Sequence, residues 1–426
     1  MYIGVATASH QNEGNNFRNN WWDWEMRNGL ERSGIACNSW VEYRRDIDCV
    51  RRLGCNAYRF SIEWSRIFLT EDRIDKAAIG KYREMLEYCR EVGVEPIVTL
   101  HHFTRPRWLD MKYGGLHSKH MVRLFHFYVE EVMKHMGDLM SYVVTFNEPM
   151  LECVHGYLRG TRPPGMKGNF EKLYSALENV VDCHCVAYGI IKRYNKDIKV
   201  GIVKNLVDFE VQYSYDKIKA SIERQIITNY NWGILDALYK GKFKFGVSLI
   251  GLGMKKRECN SYWKGKIDFL GLNHYNVGYV DITYRVYDQI DVKLTKDGGS
   301  YESNCLGWDM KEFSMRNVIN KVRKRYGDIP IMVTESGNCG VELGDEKLME
   351  KVMDSHMEDV MKMDNIIGYM WWTLMDNYEW EDGRLPKFGL YYLDGEEVIM
   401  KEIGKKYKEK VKKWLQYHNG NEAGKK

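Results

Sequence analysis

Eight short apolar runs, each followed by a stretch of helical periodicity, leave this 426-residue chain few folds to choose from. The runs are Tyr2 to Ala6, Ala57 to Phe60, Pro96 to Leu100, the stretch from Tyr142 with Val143, Val144 and Phe146, Val200 to Val203, Phe269 to Leu272, Ile331 to Val333, and Ile367 to Thr373. Runs this short, separated by helices, read as buried parallel strands. The pattern Trp40 to Leu53 places Tyr43, Ile47, Val50 and Leu53 on one helix face and stops at Gly54. Met121 to Met136 does the same before Gly137. Further helical patterns cover Lys81 to Val92, Tyr174 to Tyr194, Ile218 to Asn229, Gly233 to Tyr239, Phe313 to Tyr326, Glu346 to Met363 and Ile403 to Leu415. Val277 to Asn304 alternates polar and apolar residues without a helical period, which predicts a hairpin or a long loop. Eight strands alternating with helices predict an α/β fold, the closed (β/α)8 TIM barrel, over an open sheet. With only 7 prolines and no Ser/Gly-rich tract, no linker divides the chain. Residues 1–426 are expected to form a single barrel domain with a short basic C-terminal tail.

Charge and composition exclude several classes. The 63 basic and 59 acidic residues give a formal net charge of +4, which points to no nucleic-acid partner. No apolar run approaches the ~18 residues of a membrane span, so no membrane partner is expected. The 10 cysteines are scattered, and only Cys183 and Cys185 lie close together, without the paired spacing of a zinc site. With no signal peptide at the amino terminus, they read as reduced thiols of a cytoplasmic protein. There is no Gly-rich phosphate loop and no His-Glu-x-x-His, so neither metal nor cofactor is expected. The basic stretch Lys401 to Lys413 reads as the solvated face of the last barrel helix, followed by a frayed tail.

Polar residues gather where the apolar runs end. Gln11 and Glu13 follow the first run, His101 and His102 the third, Asn205 the fifth, and Asn273 and Tyr275 the sixth. Arg59 lies at the end of the second run, and Trp372 at the end of the eighth. In a barrel these ends share one mouth. The fourth run leads into Asn147, Glu148 and Pro149, where proline stops the pairing for want of an amide. The seventh leads into Glu335 and a turn, Ser336-Gly337. Two glutamates, each delivered by a strand end, are the parts of a glycosidase.

Longer motifs carry a family likeness. They are Gly4-Val-Ala-Thr-Ala-Ser, Gln11-Asn-Glu-Gly14, Arg59-Phe-Ser-Ile-Glu-Trp-Ser-Arg66, His102-Phe-Thr-Arg-Pro106, Thr145-Phe-Asn-Glu-Pro149, Asn273-His-Tyr275, Val333-Thr-Glu-Ser-Gly337 and Trp372-Thr-Leu-Met-Asp-Asn-Tyr-Glu-Trp380. Together they resemble the family 1 glycoside hydrolases, retaining β-glucosidases, β-galactosidases and relatives on a (β/α)8 barrel. The resemblance implies that Glu335 is the nucleophile and Glu148 the general acid/base, supported by Arg59, Asn273 and Tyr275. It places Gln11, His102, Asn147, Glu379 and Trp380 on the glycone, with Trp372 as its platform. Position four residues before Pro106 selects His102 over His101, and spacing to Trp380 selects Trp372 over Trp371. Trp308 resembles the family's aglycone-side aromatic, with core packing as the alternative. The implied partners are β-linked glycosides or oligosaccharides with terminal glucosyl, galactosyl or fucosyl residues; an oligomer is left open. Transfer to acceptors other than water is implied as well. The rivals are a 6-phospho-β-glycosidase, which the acidic stretch Glu379-Trp-Glu-Asp argues against, and a silent sugar-binding relative. Three departures stand out: Ser336 for the usual asparagine, Phe103 for the usual tryptophan, and a short amino terminus expected to cover the barrel floor thinly.

Overall fold

In the computed structural model, which describes residues 1–210, 217–247, 252–257, 261–285, 289–293, 301–342 and 346–423, the eight apolar runs pair edge to edge into a closed parallel barrel. In chain order its strands are β1 (Tyr2–Ala6), β2 (Ala57–Ser61), β3 (Glu95–His101) and β4 (Tyr142–Asn147), then β5 (Lys199–Asn205), β6 (Phe269–Asn273), β7 (Ile331–Ser336) and β8 (Ile366–Trp372). Closure comes from β8 lying beside β1, with Val5 opposite Trp371 and Ala6 opposite Trp372. The pleat sorts the side chains. Ala6, Ala57, Ile97, Val144, Val203, Phe269, Met332 and Met370 fill the barrel, while their neighbours Val5, Tyr58, Val98, Val143, Ile202, Leu270, Val333 and Trp371 pack outward under the helices. Gly4 is required where β1 meets β2, because a Cβ there would lie 2.0 Å from the Ala57 carbonyl oxygen.

One long helix follows each strand: α1 (Ser39–Arg52), α2 (Lys76–Glu91), α3 (Met121–Met136), α4 (Phe170–Tyr194), α5 (Lys217–Lys240), α6 (Ser314–Tyr326), α7 (Lys347–Met361) and α8 (Glu402–Ala423). Asp75 caps α2 by accepting from the amides of Ala77 and Ala78, and Asn169 caps α4. The two helical patterns expected around Asn229 and Gly233 are one continuous α5. Its Tyr230, Trp232, Ile234 and Leu235 are all buried, and that burial outweighs the ~1 kcal/mol cost of a mid-helix glycine. Helix α8 continues well past Leu415 to Ala423, so the stretch expected to fray is helical there. Nor are the lysines of the Lys401 to Lys413 stretch all solvated. Lys401 is buried and bonded to Asp376 at 2.7 Å, and Lys406 and Lys410 pair with Glu350 and Asp354 of α7.

The Val277 to Asn304 segment contains a hairpin, Asp281–Arg285 against Gln289–Lys293; its residues 286–288 and 294–300 lie outside the described residues. At the barrel floor, expected to be thinly covered, Tyr2 meets Tyr142 edge-on at 5.3 Å, and Tyr142 meets Phe269 at 5.8 Å. Among the described residues no helix is long and apolar enough to cross a membrane.

Candidate active site

All eight strands run the same way, so their carboxyl ends converge on one mouth, where the conspicuous polar residues meet. Glu148 follows β4 immediately and takes left-handed backbone angles, φ 44° and ψ 48°, costly for a residue with a Cβ. Its amide is held by the Val203 carbonyl of β5 at 3.0 Å, and Pro149 opens a short helix behind it. Glu335 arrives through an irregularity in β7 that sets it opposite Asn273. Two residues on, a Cβ at Gly337 would lie 2.2 Å from the Trp372 carbonyl oxygen; only glycine lets the chain pass so close to β8.

The two carboxyl groups are held differently. Arg59 Nη1 donates to Glu335 Oε1 at 2.6 Å, and the Tyr275 hydroxyl donates to Oε2 at 2.7 Å. Arg59 is fully buried, and its other nitrogens donate to Asn147 Oδ1 at 2.7 Å and Thr99 Oγ1 at 3.1 Å. Glu148 receives one bond from Asn273 Nδ2, at 2.7 Å, an amide oriented in turn by the Thr334 hydroxyl. Burial, and then the charge of Glu335, push the Glu148 pKa up to about 7; Asn273, Lys204 and Arg162 oppose the rise.

The residues expected on the glycone form a connected layer beside this pair. Asn147 Nδ2 donates to His102 Nε2 at 3.1 Å. The Asn147 oxygen is already taken by Arg59 and Asn273, so its amide orientation is fixed. Nε2 therefore accepts, and the His102 proton sits on Nδ1, a buried donor with no partner among the described residues. Burial, with Arg59 beside it, drives the His102 pKa well below the usual value, so the ring is neutral. Gln11 Nε2 donates to Glu379 Oε2 at 3.0 Å and to the Tyr378 carbonyl at 2.9 Å, while Gln11 Oε1 is a buried acceptor with no partner among the described residues. Trp372 and Trp380 both stack against His102, at 5.9 and 6.2 Å between ring centres. Trp308 reaches the site through Tyr275, 5.4 Å away. Every site residue expected from sequence thus joins one cluster.

The neighbouring choices separate cleanly. His101 bonds Glu152 at 2.8 Å in a buried network with Arg105 and Asp110, away from His102's partners. Trp371 packs in the outer core and Trp372 in the inner one. Ser336 bonds His356 of α7 at 2.9 Å, so it serves the helix layer. Phe103 meets Trp380 edge-on at 5.2 Å, and the Arg162 guanidinium lies over the Phe103 ring at 5.4 Å.

Two residues escaped the sequence reading. Lys204, near the end of β5, is buried with its ammonium over the Tyr230 ring at 4.4 Å; burial lowers its pKa to about 7 and Glu148 opposes the drop. A lysine closing the apolar run Val200 to Val203 was a visible signal. Arg162 had none. It donates to Glu381 Oε1 at 2.9 and 3.1 Å. Burial also lifts the Glu379 pKa to about 8. The stretch Glu379-Trp-Glu-Asp is therefore far less anionic than its sequence suggests, and the electrostatic case against a phosphorylated sugar weakens accordingly.

Comparison with known proteins gives a consistent result. The model of glycosyl hydrolase family 1 matches residues 2–421. Beta-glucosidase A of Thermotoga maritima is 28% identical over 438 residues, covering 96% of each chain. Beta-glucosidase 4 of Oryza sativa subsp. japonica is 28% identical over 442 residues, covering 92% of this chain and 89% of that protein. Among solved structures, the beta-glycosidase from Pyrococcus horikoshii superposes with a TM-score of 0.84 at 31% identity, covering 96% of this chain and 93% of that one.

Proposed function

The chain belongs to glycosyl hydrolase family 1 and is a β-glycosidase, and we propose that it releases terminal β-linked glucosyl, galactosyl or fucosyl residues with retention, through a covalent glycosyl-enzyme. The observation that carries this reading is the contrast between two glutamates meeting at Asn273. One is flanked by a guanidinium and a phenol; the other is buried, with a pKa of about 7. Retention needs carboxyl groups ~5–5.5 Å apart. Asn273 suits such a pair, bonding Glu148 directly and facing Glu335 across the β6–β7 register.

In the first step Glu335 attacks the anomeric carbon while Glu148 passes its proton to the departing glycosidic oxygen. The C–O bond to the aglycone breaks and an ester to Glu335 forms. That ester removes the negative charge which helped raise the Glu148 pKa. Glu148, now a better base, takes a proton from water as the water attacks the same carbon and frees Glu335. An alcohol in place of that water gives a transglycosylation product. Arg59 and Tyr275 keep Glu335 aimed. The unpartnered His102 Nδ1–H and Gln11 Oε1 bind glycone hydroxyls, Trp372 supplies the apolar face, and Trp308 lines the aglycone side.

Initial rates on nitrophenyl β-D-glucoside, galactoside, fucoside, mannoside, xyloside and glucoside 6-phosphate test this directly, with the anomer of the first product read by NMR. Turnover of an unphosphorylated glycoside to the β-anomer supports the proposal. Turnover of the 6-phosphate alone would assign the 6-phospho-β-glycosidase role, for which Arg162 is the cation at hand. An α-anomer as first product would overturn retention, and sugar binding without turnover would identify the silent relative.

A further inference from the structure

Nine cysteines lie among the described residues, all as free thiols, and eight of them are buried. The exposed one, Cys305, stands 3.2 Å sulfur to sulfur from buried Cys339. They belong to different loops of the mouth. Cys339 follows Glu335 by four residues on the loop leaving β7, and Cys305 sits in the turn that carries Trp308. The turn is built around Asn304, whose Oδ1 accepts from the amides of Leu306 and Trp308 at 3.0 Å. The same residue's Nδ2 donates to Asn338 Oδ1 at 2.9 Å and to the Cys339 sulfur at 3.4 Å. The two loops are thus already docked, with their sulfurs in contact.

We propose that Cys305 and Cys339 are a modification site, a thiol pair that closes reversibly to a disulfide and straps the Trp308 turn to the loop leaving β7. The co-reactant is a low-molecular-weight disulfide. The Cys305 thiolate attacks one of its sulfurs, a mixed disulfide forms, and one thiol leaves carrying the Cys305 proton. The Cys339 sulfur then attacks the Cys305 sulfur, the mixed disulfide breaks, and a second thiol leaves with the Cys339 proton. The two protein thiols are oxidised by two electrons, and the small disulfide is reduced to two thiols. A disulfide bond is ~2.05 Å long, so the sulfurs need close by only about an ångström. The order of attack follows from access. Cys305 is open to solvent; Cys339 is 3% exposed, and its pKa is raised by burial and by the neighbouring thiol.

The strap has a consequence for catalysis that rests on the aglycone role proposed for Trp308. In the open form that turn is held by hydrogen bonds; in the closed form it is held covalently, so Trp308 is fixed before substrate arrives. KM for a nitrophenyl β-glucoside should fall roughly two- to tenfold on closure, the span that pre-ordering one side chain covers.

The test uses the full chain, incubated with glutathione disulfide or with dithiothreitol and digested under non-reducing conditions. The expected result is a Cys305–Cys339 cross-linked peptide in the first sample, lost on addition of dithiothreitol and absent from Cys305→Ser. That variant should match reduced wild type in rate and ignore the oxidant. Glutathione left on Cys305 with no cross-link, or two free thiols throughout, would overturn the pair. A proven cross-link with identical KM in both states would overturn the effect on Trp308. Peptide mapping needs no turnover, so failure of the glycosidase reading would leave the thiol result standing.

Discussion

The carboxyl ends of β4 and β7 deliver the same side chain into opposite surroundings. At β7, Glu335 accepts one bond on each oxygen, from a buried cation and from a phenol. At β4, Glu148 has a neutral amide as its partner among the described residues, a strained backbone and enough burial to lift its pKa to about 7. Glutamate carries no intrinsic preference for nucleophile or acid. In the proposed mechanism the difference in neighbours separates the roles, as it does wherever two carboxyl groups divide acid and nucleophile chemistry.

The largest expected effect comes from emptying the β7 side. Glu335→Ala should lower kcat on any good substrate by roughly 10⁴-fold or more, because the attacking oxygen is gone. A loss below tenfold would place the nucleophile elsewhere. Glu148→Gln removes only proton transfer and should cost about 10²–10⁴-fold on alkyl glycosides, whose leaving oxygen needs a proton. Dinitrophenyl glycosides should lose much less in their first, glycosylation step; equal losses on both would erase the asymmetry between the two carboxyl groups.

Smaller effects probe what sets the Glu148 pKa. The acid must be protonated for the first step, so kcat/KM should fall as pH rises through about 7. Lys204→Met removes a charge that opposes the rise, so the alkaline limb should move to higher pH, and Lys204→Arg should restore it. In Glu335→Gln, NMR titration should give a Glu148 pKa below that of wild type yet still above that of free glutamate, since burial, the larger cause, persists. The smallest effect belongs to a residue beside the site but bonded away from it. Ser336→Ala should cost about 1 kcal/mol of stability through the lost His356 bond and leave kcat unchanged, measured by denaturant unfolding beside the nitrophenyl assay.

Much of this is legible along the chain because barrel strands announce themselves. Each is an apolar run of about five residues, and a polar residue at its end must face the mouth once the barrel closes. Local pattern misled where burial outweighed propensity. Gly233 looks like a break, but Tyr230, Trp232 and Ile234 are buried on either side of it, and α5 runs straight through. At the acidic stretch around Glu379 the sequence shows the charges and not their surroundings. Arg162, 219 positions before Glu381, pairs with it, and burial lifts the Glu379 pKa to about 8.

The sequence by itself therefore determined the barrel and the strands that carry Arg59, Asn147, Asn273, Glu335 and Trp372, and its family resemblance implied the pairing of Glu148 with Glu335. Those follow from periodicity and from motifs, which are local. Only the tertiary structure decided that the Asn273 amide bonds Glu148, that Lys204 and Arg162 bear on the acid, and that Cys305 touches Cys339. Electrostatics and sulfur chemistry depend on distance in space, and the partners that matter here, Arg59 and Glu335 above all, are separated by most of the chain.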